Sequence, residues 1–412
     1  MLALRHSFLI LFIFWSYVQA QQPFFNIYED STSHWGQSIK SHPNGKYYIN
    51  GNTQSGDNSS VDWTLLETDS LGNISWSTSW ATDFRNITKP LLIGSDGNID
   101  YPGWAETLAG NIRDDWAIFK FGTNGQMSWE NFFGSGGTND DELEGVIETQ
   151  DKHLLWFGGR SPTPNSLDSD GYIIKTDFAG NVKWAQAYEA IGQQILYDID
   201  TLPGGGFVCL GYSSTINTGS SAAIWILRLD ASGNIIWNRT YGPRIRQGPA
   251  GLLINPDGSM IVSTQITAGL SGEDALIVKI DPNGNAEWAR RIGGAGNDRA
   301  KVETRTVDGG YLLSGFTYSY GFFAKDGWVM KFDDFGNMMW AKACGTMGED
   351  QIWDIEPTPD GGFLATGYIN KSGGMGDRQM ILFKANALGE TDPCYMMPIF
   401  PQIDSVSFLR DF

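Results

Sequence analysis

The chain has 412 residues, of which 41% are hydrophobic and 13% aromatic, and 47 acidic against 28 basic residues give a formal charge of −19. The aromatic content excludes a disordered chain, because it supplies ample apolar surface for a core. The negative charge argues against nucleic acid or an anionic membrane as a partner, since both require clustered Lys and Arg.

Residues 1–20 have the pattern of a secretory signal peptide. A short basic region, Arg5 and His6, precedes the apolar run 8–18. Val18 and Ala20 then place small residues at −3 and −1 of a cleavage site after Ala20. An uncleaved anchor is the alternative, but a membrane helix needs about 20 apolar residues. We expect a secreted or cell-surface protein that is not inserted in the membrane.

An internal repeat, Gly-Asn-x-x-Trp, dominates the rest of the chain. Its tryptophans are 53, 55, 53, 51 and 52 residues apart, at Trp76, Trp129, Trp184, Trp237, Trp288 and Trp340. A seventh copy, at Gly389-Glu390, lacks the tryptophan, and an Asp-Gly turn signal such as Asp308-Gly309 lies about midway between copies. The pattern predicts seven units that fill residues 24–390.

Each unit contains four short strand signals separated by turn residues. In unit seven these are 352–356, 363–367 and 379–384, and unit six shows the fourth strand at 338–342. Gly and Asn are predicted to supply the positive φ angles that tight hairpin turns require. No unit has a helical period, so the sequence predicts an all-β fold.

Seven four-stranded units predict a seven-bladed β-propeller, because one sheet can bury both faces only between two neighbours. The last unit stops before its fourth strand, and residues 24–28 form a strand in the fourth-strand register without preceding partners. We expect this N-terminal strand to complete the seventh blade and remove an open edge. The predicted domains are the signal peptide 1–20, the propeller 21–390 and a C-terminal tail 391–412.

The repeated tryptophans have two interpretations. They either fill the space between blades or form an aromatic ladder that stacks sugars. Packing is favoured, because burial of large aromatic area is the ordinary use of such side chains.

The units resemble the β-propeller repeats of exported bacterial surface proteins, which are common among Bacteroidota-type proteins carried by the type IX secretion route. The resemblance rests on residues 308–317, 326–333 and 336–340 and extends over the mature chain. It implies the propeller fold and export, but no particular activity. Many such proteins continue into Ig-like modules and a sorting domain, whereas residues 391–412 follow the last repeat here.

Ten residues before each Asp-Gly position lies a polar residue, which is expected just before the innermost strand on one rim of the central channel. The set comprises His34, Asn86, Asp141, Gln194, Gln247, Asp298 and Asp350. These residues either form a ring that holds a ligand or cation, or cap turns by hydrogen bonds to backbone N–H groups. Caps are favoured, since Asx turns are common.

A second set of charges on the innermost strands is not repeated from unit to unit. It comprises Asp198, Asp200, Glu303, Arg305, Asp354 and Glu356. Strand alternation places Asp198 and Asp200 on one face, where an acidic channel lining would hold a cation through oxygen ligands. Solvated channel walls are the favoured alternative, and no metal ligands are assigned because no known ligand spacing is present.

No catalytic or cofactor template matches. The four histidines, at 6, 34, 42 and 153, have no metal-site spacing, and no Gly-x-Ser-x-Gly sequence occurs. No catalytic residue, cofactor or metal is therefore predicted. Cys209 is expected to be a buried small hydrophobe, and a disulfide between Cys344 and Cys394 in an oxidising compartment is a hypothesis.

These observations favour a monomeric, non-catalytic binding or scaffold module at or outside the cell surface, with an unknown protein or glycan ligand. One alternative is a carbohydrate-active enzyme that uses acids on the channel rim, since paired carboxylates perform glycoside chemistry. Another is a spacer within a larger surface protein.

Overall fold

A computed structural model describes residues 22–29, 32–54, 61–80, 86–106, 114–134, 141–161, 169–189, 192–214, 222–245, 251–267, 272–322, 324–370, 377–391, 396–406 and 409–411. The predicted signal peptide, Gln247 and Cys394 lie outside these ranges. The regular elements described are all β-strands, and within these ranges no helix is long and apolar enough to cross a membrane.

The strands form seven antiparallel sheets, the blades, numbered from the strand nearest the channel outwards. Blade 1 contains β2 (Ser33–Ser41), β3 (Tyr47–Gln54), β4 (Val61–Thr68) and β5 (Ile74–Trp80). Blade 2 contains β6 (Asn86–Thr88) and β7 (Leu92–Ile93), then β8 (Ile99–Glu106), β9 (Asp114–Phe121) and β10 (Met127–Phe133). Blade 3 contains β11 (Glu142–Glu148), β12 (Leu154–Arg160), β13 (Asp170–Thr176) and β14 (Val182–Tyr188).

The remaining blades follow the same order. Blade 4 contains β15 (Gln194–Thr201), β16 (Phe207–Ser214), β17 (Ala222–Leu229) and β18 (Ile235–Ile245). Blade 5 contains β19 (Gly251–Ile254), β20 (Met260–Thr267), β21 (Glu273–Ile280) and β22 (Ala286–Gly293). Blade 6 contains β23 (Asp298–Arg305), β24 (Tyr311–Thr317), β25 (Asp326–Phe332) and β26 (Met338–Cys344). Blade 7 contains β27 (Gln351–Pro357), β28 (Phe363–Asn370), β29 (Arg378–Ala385) and β1 (Phe24–Tyr28).

The prediction that the N-terminal strand completes the last blade is confirmed. β1 pairs antiparallel with β29, and Phe24 lies opposite Lys384. In blade 6 the equivalent pair is Trp340 and Lys331, so Phe24 occupies the position of the repeated tryptophan. The first strand of the chain therefore supplies the outer strand that the last repeat lacks.

The core is divided among the gaps between neighbouring blades. Each of the seven described hydrophobic clusters joins two consecutive blades, including one that joins blade 7 to blade 1 through Leu382 and Ile39. Inner strand β2 also contacts β27, β28 and β29, which closes the ring. The chain is thus the predicted seven-bladed propeller.

The repeated tryptophans pack between blades, in agreement with the favoured interpretation. Each ring is half-buried, and most lie against the turn glycine of the next blade: Trp76 on Gly125, Trp129 on Gly180, Trp184 on Gly233, Trp288 on Gly336 and Trp340 on Gly389. A Cβ atom at Gly336 would come within 2.9 Å of the Trp288 ring, so this close approach requires glycine. Glycine and tryptophan recur because together they form the contact between blades.

The expectation that Asn supplies positive φ angles is wrong. Gly336 has a φ of 77°, whereas among the described non-glycine residues only Lys152 has a positive φ. Asn337 instead donates its backbone N–H and its side-chain amide to the two carboxylate oxygens of Asp333, at 2.8 and 2.9 Å. The Asn of the motif therefore fixes the turn through a side-chain hydrogen bond.

Most blades also contain an ion pair between strand three and the Asp-Gly turn. Lys331 contacts Asp308 at 2.7 Å, and Lys384 contacts Asp360 at 2.6 Å. Blade 1 reverses the charges, with Lys46 in the turn and Glu67 on the strand. The interaction is kept although the residues that form it are exchanged.

The predicted C-terminal tail forms a fifth, outermost strand on three consecutive blades, which was not predicted. β30 (Met396–Pro398) pairs with β26 of blade 6, β31 (Gln402–Ser405) with β22 of blade 5, and β32 (Leu409–Asp411) with β18 of blade 4. Met396 and Ile399 are buried in the cores next to blade 6. The tail is therefore part of the packed ring.

Replacement of Ile399 by Ala tests whether the tail contributes to stability. Ile399 is 6% exposed, whereas its neighbour Phe400 is 84% exposed. We expect I399A to lower the free energy of unfolding by about 2–4 kcal/mol, as for other buried aliphatic truncations, and F400A to change it by less than about 0.5 kcal/mol. Urea unfolding monitored by tryptophan fluorescence measures both, and equal effects of the two variants would contradict a docked tail.

Candidate functional site

The polar residues predicted before the innermost strands lie where the repeat register places them. Asn86, Gln194 and Asp298 begin their strands, Asp141 and Asp350 immediately precede theirs, and His34 is the second residue of β2. Gln247 lies outside the described residues.

Three of these carboxylates cap the second strand of their own blade. Asp141 accepts a hydrogen bond from the backbone N–H of Ser161 at 2.8 Å, and Asp350 accepts one from Asn370 at 2.7 Å. Asp298 accepts from the backbone N–H of Tyr318 at 3.2 Å and from the Thr317 hydroxyl at 2.5 Å. These contacts are those of the turn-cap interpretation.

The acids predicted to line the channel connect neighbouring blades. Asp198 accepts from the backbone N–H of Leu252 at 2.9 Å, and Asp200 from that of Ile254 at 3.1 Å, so both point from blade 4 toward blade 5 as alternation predicts. Arg305, in blade 6, donates to Asn255 of blade 5. Within the described ranges, no group of three or more His, Cys, Asp or Glu side chains is placed to hold a metal ion.

Asp354 and Glu356 form the same kind of contact across the seam, the junction where blade 7 meets blade 1. One oxygen of Asp354 accepts from the Ser38 hydroxyl at 2.7 Å and the Ile39 N–H at 3.0 Å, and lies 3.1 Å from the Lys40 ammonium. Glu356 accepts from the Ser41 N–H at 2.8 Å. The inner strands of the first and last blades are therefore joined by charge-assisted hydrogen bonds.

Four innermost strands contain a β-bulge at an equivalent position, and the inner strand of blade 6 contains one that lies two residues further along. The extra residue, which has no partner in the strand register, is Gln37, Glu144, Tyr197, Glu303 or Trp353. Bulges redirect a side chain away from the regular sheet and are common beside functional sites. These residues are of four types, Gln, Glu, Tyr and Trp, and so contrast with the repeated residues that pack the blades.

Glu303 and Lys301 form a charged pair on the inner strand of blade 6, in which the Glu303 side chain is buried and the Lys301 side chain is partly exposed. The carboxylate lies 3.2 Å from the Lys301 ammonium and accepts from the Ser314 hydroxyl at 2.7 Å. Burial raises the pKa of Glu303 to about 7, although Lys301 opposes this shift. The pKa of Lys301 is itself raised, because Glu303, Asp198 and Asp354 outweigh the effect of burial.

Cationic and aromatic side chains surround the channel mouth between blades 6 and 7. We call this set the mouth cluster, and it comprises Arg299, Phe316, Lys325, Trp353, Tyr368 and Arg378. The Lys325 ammonium lies 4.9 Å from the Phe316 ring centroid and 5.3 Å from that of Tyr368. The Arg378 guanidinium lies 4.6 Å from the Tyr368 centroid and 5.6 Å from that of Trp35 in blade 1.

The mouth cluster contains hydrogen-bond donors that lack protein acceptors. Nε of Arg299 and Nε1 of Trp353 are buried without an acceptor among the described residues, and both residues line a small cavity of about 30 Å³. Buried donors normally have a hydrogen-bond partner, and a cavity of this size has room for a water molecule.

Lys325 adds a positive charge to the mouth cluster, and burial disfavours that charge. Its ammonium donates to the Tyr368 hydroxyl at 2.7 Å and to the Gln351 amide oxygen at 3.1 Å. Burial, followed by the nearby Arg378 and Arg299 charges, lowers its pKa to about 8, although Glu349 and Asp350 oppose the shift. Within the described ranges no carboxylate lies within ion-pair distance of Lys325 or Arg378, whereas Arg299 contacts Glu273 at 2.7 Å.

Sequence reasoning missed most of the mouth cluster. Phe316 lies within the repeat motif 308–317, but nothing in that motif marks it as a ligand contact. Lys325 and Arg378 lie at the starts of third strands, where the other units carry no basic residue in the same place. Trp353 does have a signal, because it occupies the bulge position at which other units carry Gln, Glu or Tyr. Cys209 is a buried free thiol as expected; Cys344 is also a buried free thiol in the structure, and Cys394, its partner in the disulfide hypothesis, lies outside the described residues.

Comparison with known proteins supports the fold and assigns no family. No family model matches the chain. A WD repeat-containing protein of Acanthamoeba polyphaga mimivirus is 26% identical over 164 residues, which is 35% of this chain, and the match spans about a tenth (11%) of that protein's length.

Two solved structures align with most of the chain at low sequence identity. A protein of unknown function from Dyadobacter fermentans is 12% identical and aligns with a TM-score of 0.51 over 88% of this chain and 98% of its own. The β-propeller domain of the Trilobed protease from Pyrococcus furiosus is 8% identical with a TM-score of 0.46, over 87% of this chain and 97% of its own.

The raised pKa of Glu303 predicts a pH-dependent contribution to stability. The folded state holds a proton on this carboxyl between its ordinary value of 4.5 and about 7, where the unfolded state has lost it, so stability falls as pH rises through this window. We expect E303Q to resemble the wild type at pH 5 and to be more stable by about 1–3 kcal/mol at pH 8.

Urea unfolding at pH 5, 6, 7 and 8 measures this difference. The control is E287Q, because the Glu287 side chain is 46% exposed and should leave the wild-type pH dependence unchanged. A stability difference between E303Q and the wild type that is constant over this range would contradict the assignment.

Proposed function

We propose that the protein is an exported β-propeller that acts as a binding or scaffold module at or outside the cell surface, with the mouth cluster as its ligand-binding face. Export is supported by the signal-peptide pattern of residues 1–20. N-terminal sequencing of the secreted protein tests it and should begin at Gln21.

The binding role is supported by the contrast between repeated and unrepeated residues. The repeated Trp, Gly, Asp and Lys residues pack or pair within the ring, and the inner-strand acids join neighbouring blades. The mouth cluster is not repeated from blade to blade, and it concentrates positive charge on a chain whose net charge is −19. A conspicuous local charge of opposite sign is typical of a surface that attracts a charged ligand.

The two buried donors without acceptors carry the proposal. Arg299 and Trp353, whose buried N–H groups lack an acceptor among the described residues, both line one small cavity, and Lys325 and Arg378 lie beside aromatic rings nearby. A carboxylate or sulfate would accept these hydrogen bonds and reduce the repulsion among the three cations. Aromatic rings beside such donors favour a sugar that bears the acidic group, so we assign an acidic glycan as the ligand class.

Substitution of Arg378 tests the ligand face. Loss of this guanidinium should weaken binding of an oligogalacturonate at least tenfold, because it removes a charge from the cluster that would hold the carboxylate. The matched control is R290A, since Arg290 lies 5.3 Å from the Trp288 ring on another blade and should bind as the wild type does. Isothermal titration at two salt concentrations measures both variants.

Two further probes separate the possible sources of the acidic group. A neutral xylo-oligosaccharide should bind at this face at least tenfold more weakly than the oligogalacturonate, and a poly-glutamate peptide reports whether an acidic protein suffices. Tighter binding of the peptide would replace the glycan by a protein partner. Absence of saturable binding by both acidic probes, or equal binding by R378A and the wild type, would contradict the proposed ligand face.

A further inference from the structure

We propose that a second site, in a cleft at the seam between blades 7 and 1, binds a neutral polyhydroxylated ligand such as a mono- or disaccharide. The lining of this seam cleft shares no residue with the mouth cluster. It includes Thr32, His34, Thr53, Thr64, Ser79 and Met380. Its volume is about 560 Å³, within the range of small-molecule sites.

Blade 1 carries Thr64 at a position where five of the other six blades carry a larger side chain. Thr64 lies three residues before Glu67, which is opposite Trp76. The equivalent residues of the other blades are Ala117, Tyr172, Trp225, Leu276, Trp328 and Ile381. In blade 4 this side chain fills the gap to the preceding blade, since the Trp225 ring lies against Gly171. Threonine leaves the corresponding space at the seam open.

A continuous chain of hydrogen bonds follows one wall of the cleft. Thr32 Oγ1 lies 2.6 Å from His34 Nε2, and His34 Nδ1 lies 2.9 Å from Thr53 Oγ1. Thr53 Oγ1 lies 2.7 Å from Thr64 Oγ1, which lies 3.0 Å from Ser79 Oγ. Four of the five side chains come from blade 1, and Thr32 comes from the connection that links it to β1.

The direction of this chain depends on the tautomer of His34. A neutral imidazole has one N–H, so the hydrogens along the chain all run one way. With the proton on Nδ1, His34 donates to Thr53 and the series ends with the Ser79 hydroxyl free to donate into the cleft. With the proton on Nε2 the series reverses, Ser79 donates to Thr64, and its lone pairs face the cleft. Ser79 thus acts as donor or acceptor at little cost.

This behaviour matches the hydroxyl groups of a sugar, each of which both donates and accepts hydrogen bonds. Ile27, Leu66, Ile74 and Met380 provide apolar surface for the C–H faces of the ring. Burial raises the pKa of Tyr28, so its hydroxyl is neutral. The lining contains no Lys or Arg, and Glu29 disfavours an anion, so the structure assigns a neutral ligand here.

Filling the cleft with a residue that the fold already accepts tests the proposal. T64W introduces the side chain that blades 4 and 6 carry at this position, and it should weaken sugar binding at least twentyfold. T64V keeps the volume but breaks the hydroxyl chain and should weaken binding about fivefold. T78V, a neighbour on β5 that does not line the cleft, should stay within twofold of the wild type.

Isothermal titration measures these variants in the R378A background, which removes a key charge from the mouth cluster and keeps the two proposals separate. The probes are cellobiose, lactose and diacetylchitobiose as neutral sugars, with digalacturonic acid as the anionic comparison. We expect saturable binding of at least one neutral sugar, a shift of the His34 ring NMR signals on its addition, and at least fivefold weaker binding of digalacturonic acid.

Each contrary result overturns the assignment. No binding of any neutral sugar would refute the site. Equal binding by T64W and by the R378A protein that keeps Thr64 would also refute it. Tighter binding of digalacturonic acid would refute the neutral ligand class. If T64W fails to fold, the comparison of T64V with T78V decides, because both are isosteric changes of one hydroxyl to a methyl group.

Discussion

The structure depends on the contact between the last blade and the first. A ring of sheets that each bury both faces against neighbours is stable only if its two ends meet, since otherwise two apolar faces and two strand edges remain exposed. Two separate interactions join the ends. At the outside, β1 pairs with β29 and the Tyr28 hydroxyl donates to the Gly72 carbonyl of blade 1 at 2.7 Å. At the inside, Asp354 binds Ser38, Ile39 and Lys40.

The division between repeated and unrepeated residues follows from this architecture. A residue that recurs every 50 or so positions occupies the same environment in every blade, so its role is to hold one blade to the next. The half-buried Trp288 ring on Gly336 is such a contact. Other residues differ between blades and are not needed in every blade to hold it to the next. Trp353 at the channel mouth and Thr64 at the seam are examples, and both proposed sites consist of such residues.

The sequence predicted the ring but not its surroundings, for physical reasons. Turn glycines, the tryptophan period and the N-terminal strand are local signals that repeat, so seven blades and their closure could be derived. The tail strands have short sequences without a clear pattern, and each pairs with the outer strand of a different blade, far away in the sequence. The bulges depend on how two strands are paired and not on the type of the bulged residue. The acids Asp198, Asp200, Asp354 and Glu356 were placed on the inner strands correctly, but hydrogen bonds to the next blade are visible only when two blades are brought together.

Hydrogen exchange of the N-terminal strand, measured by mass spectrometry on the mature chain, tests the central claim most directly. If β1 closes the ring as the outer strand of blade 7, peptides covering Phe24–Tyr28 should be protected to the same degree as peptides covering its partner β29. Exchange of these residues within seconds, as expected for an undocked terminus, while β29 stays protected, would contradict closure by the N-terminal strand.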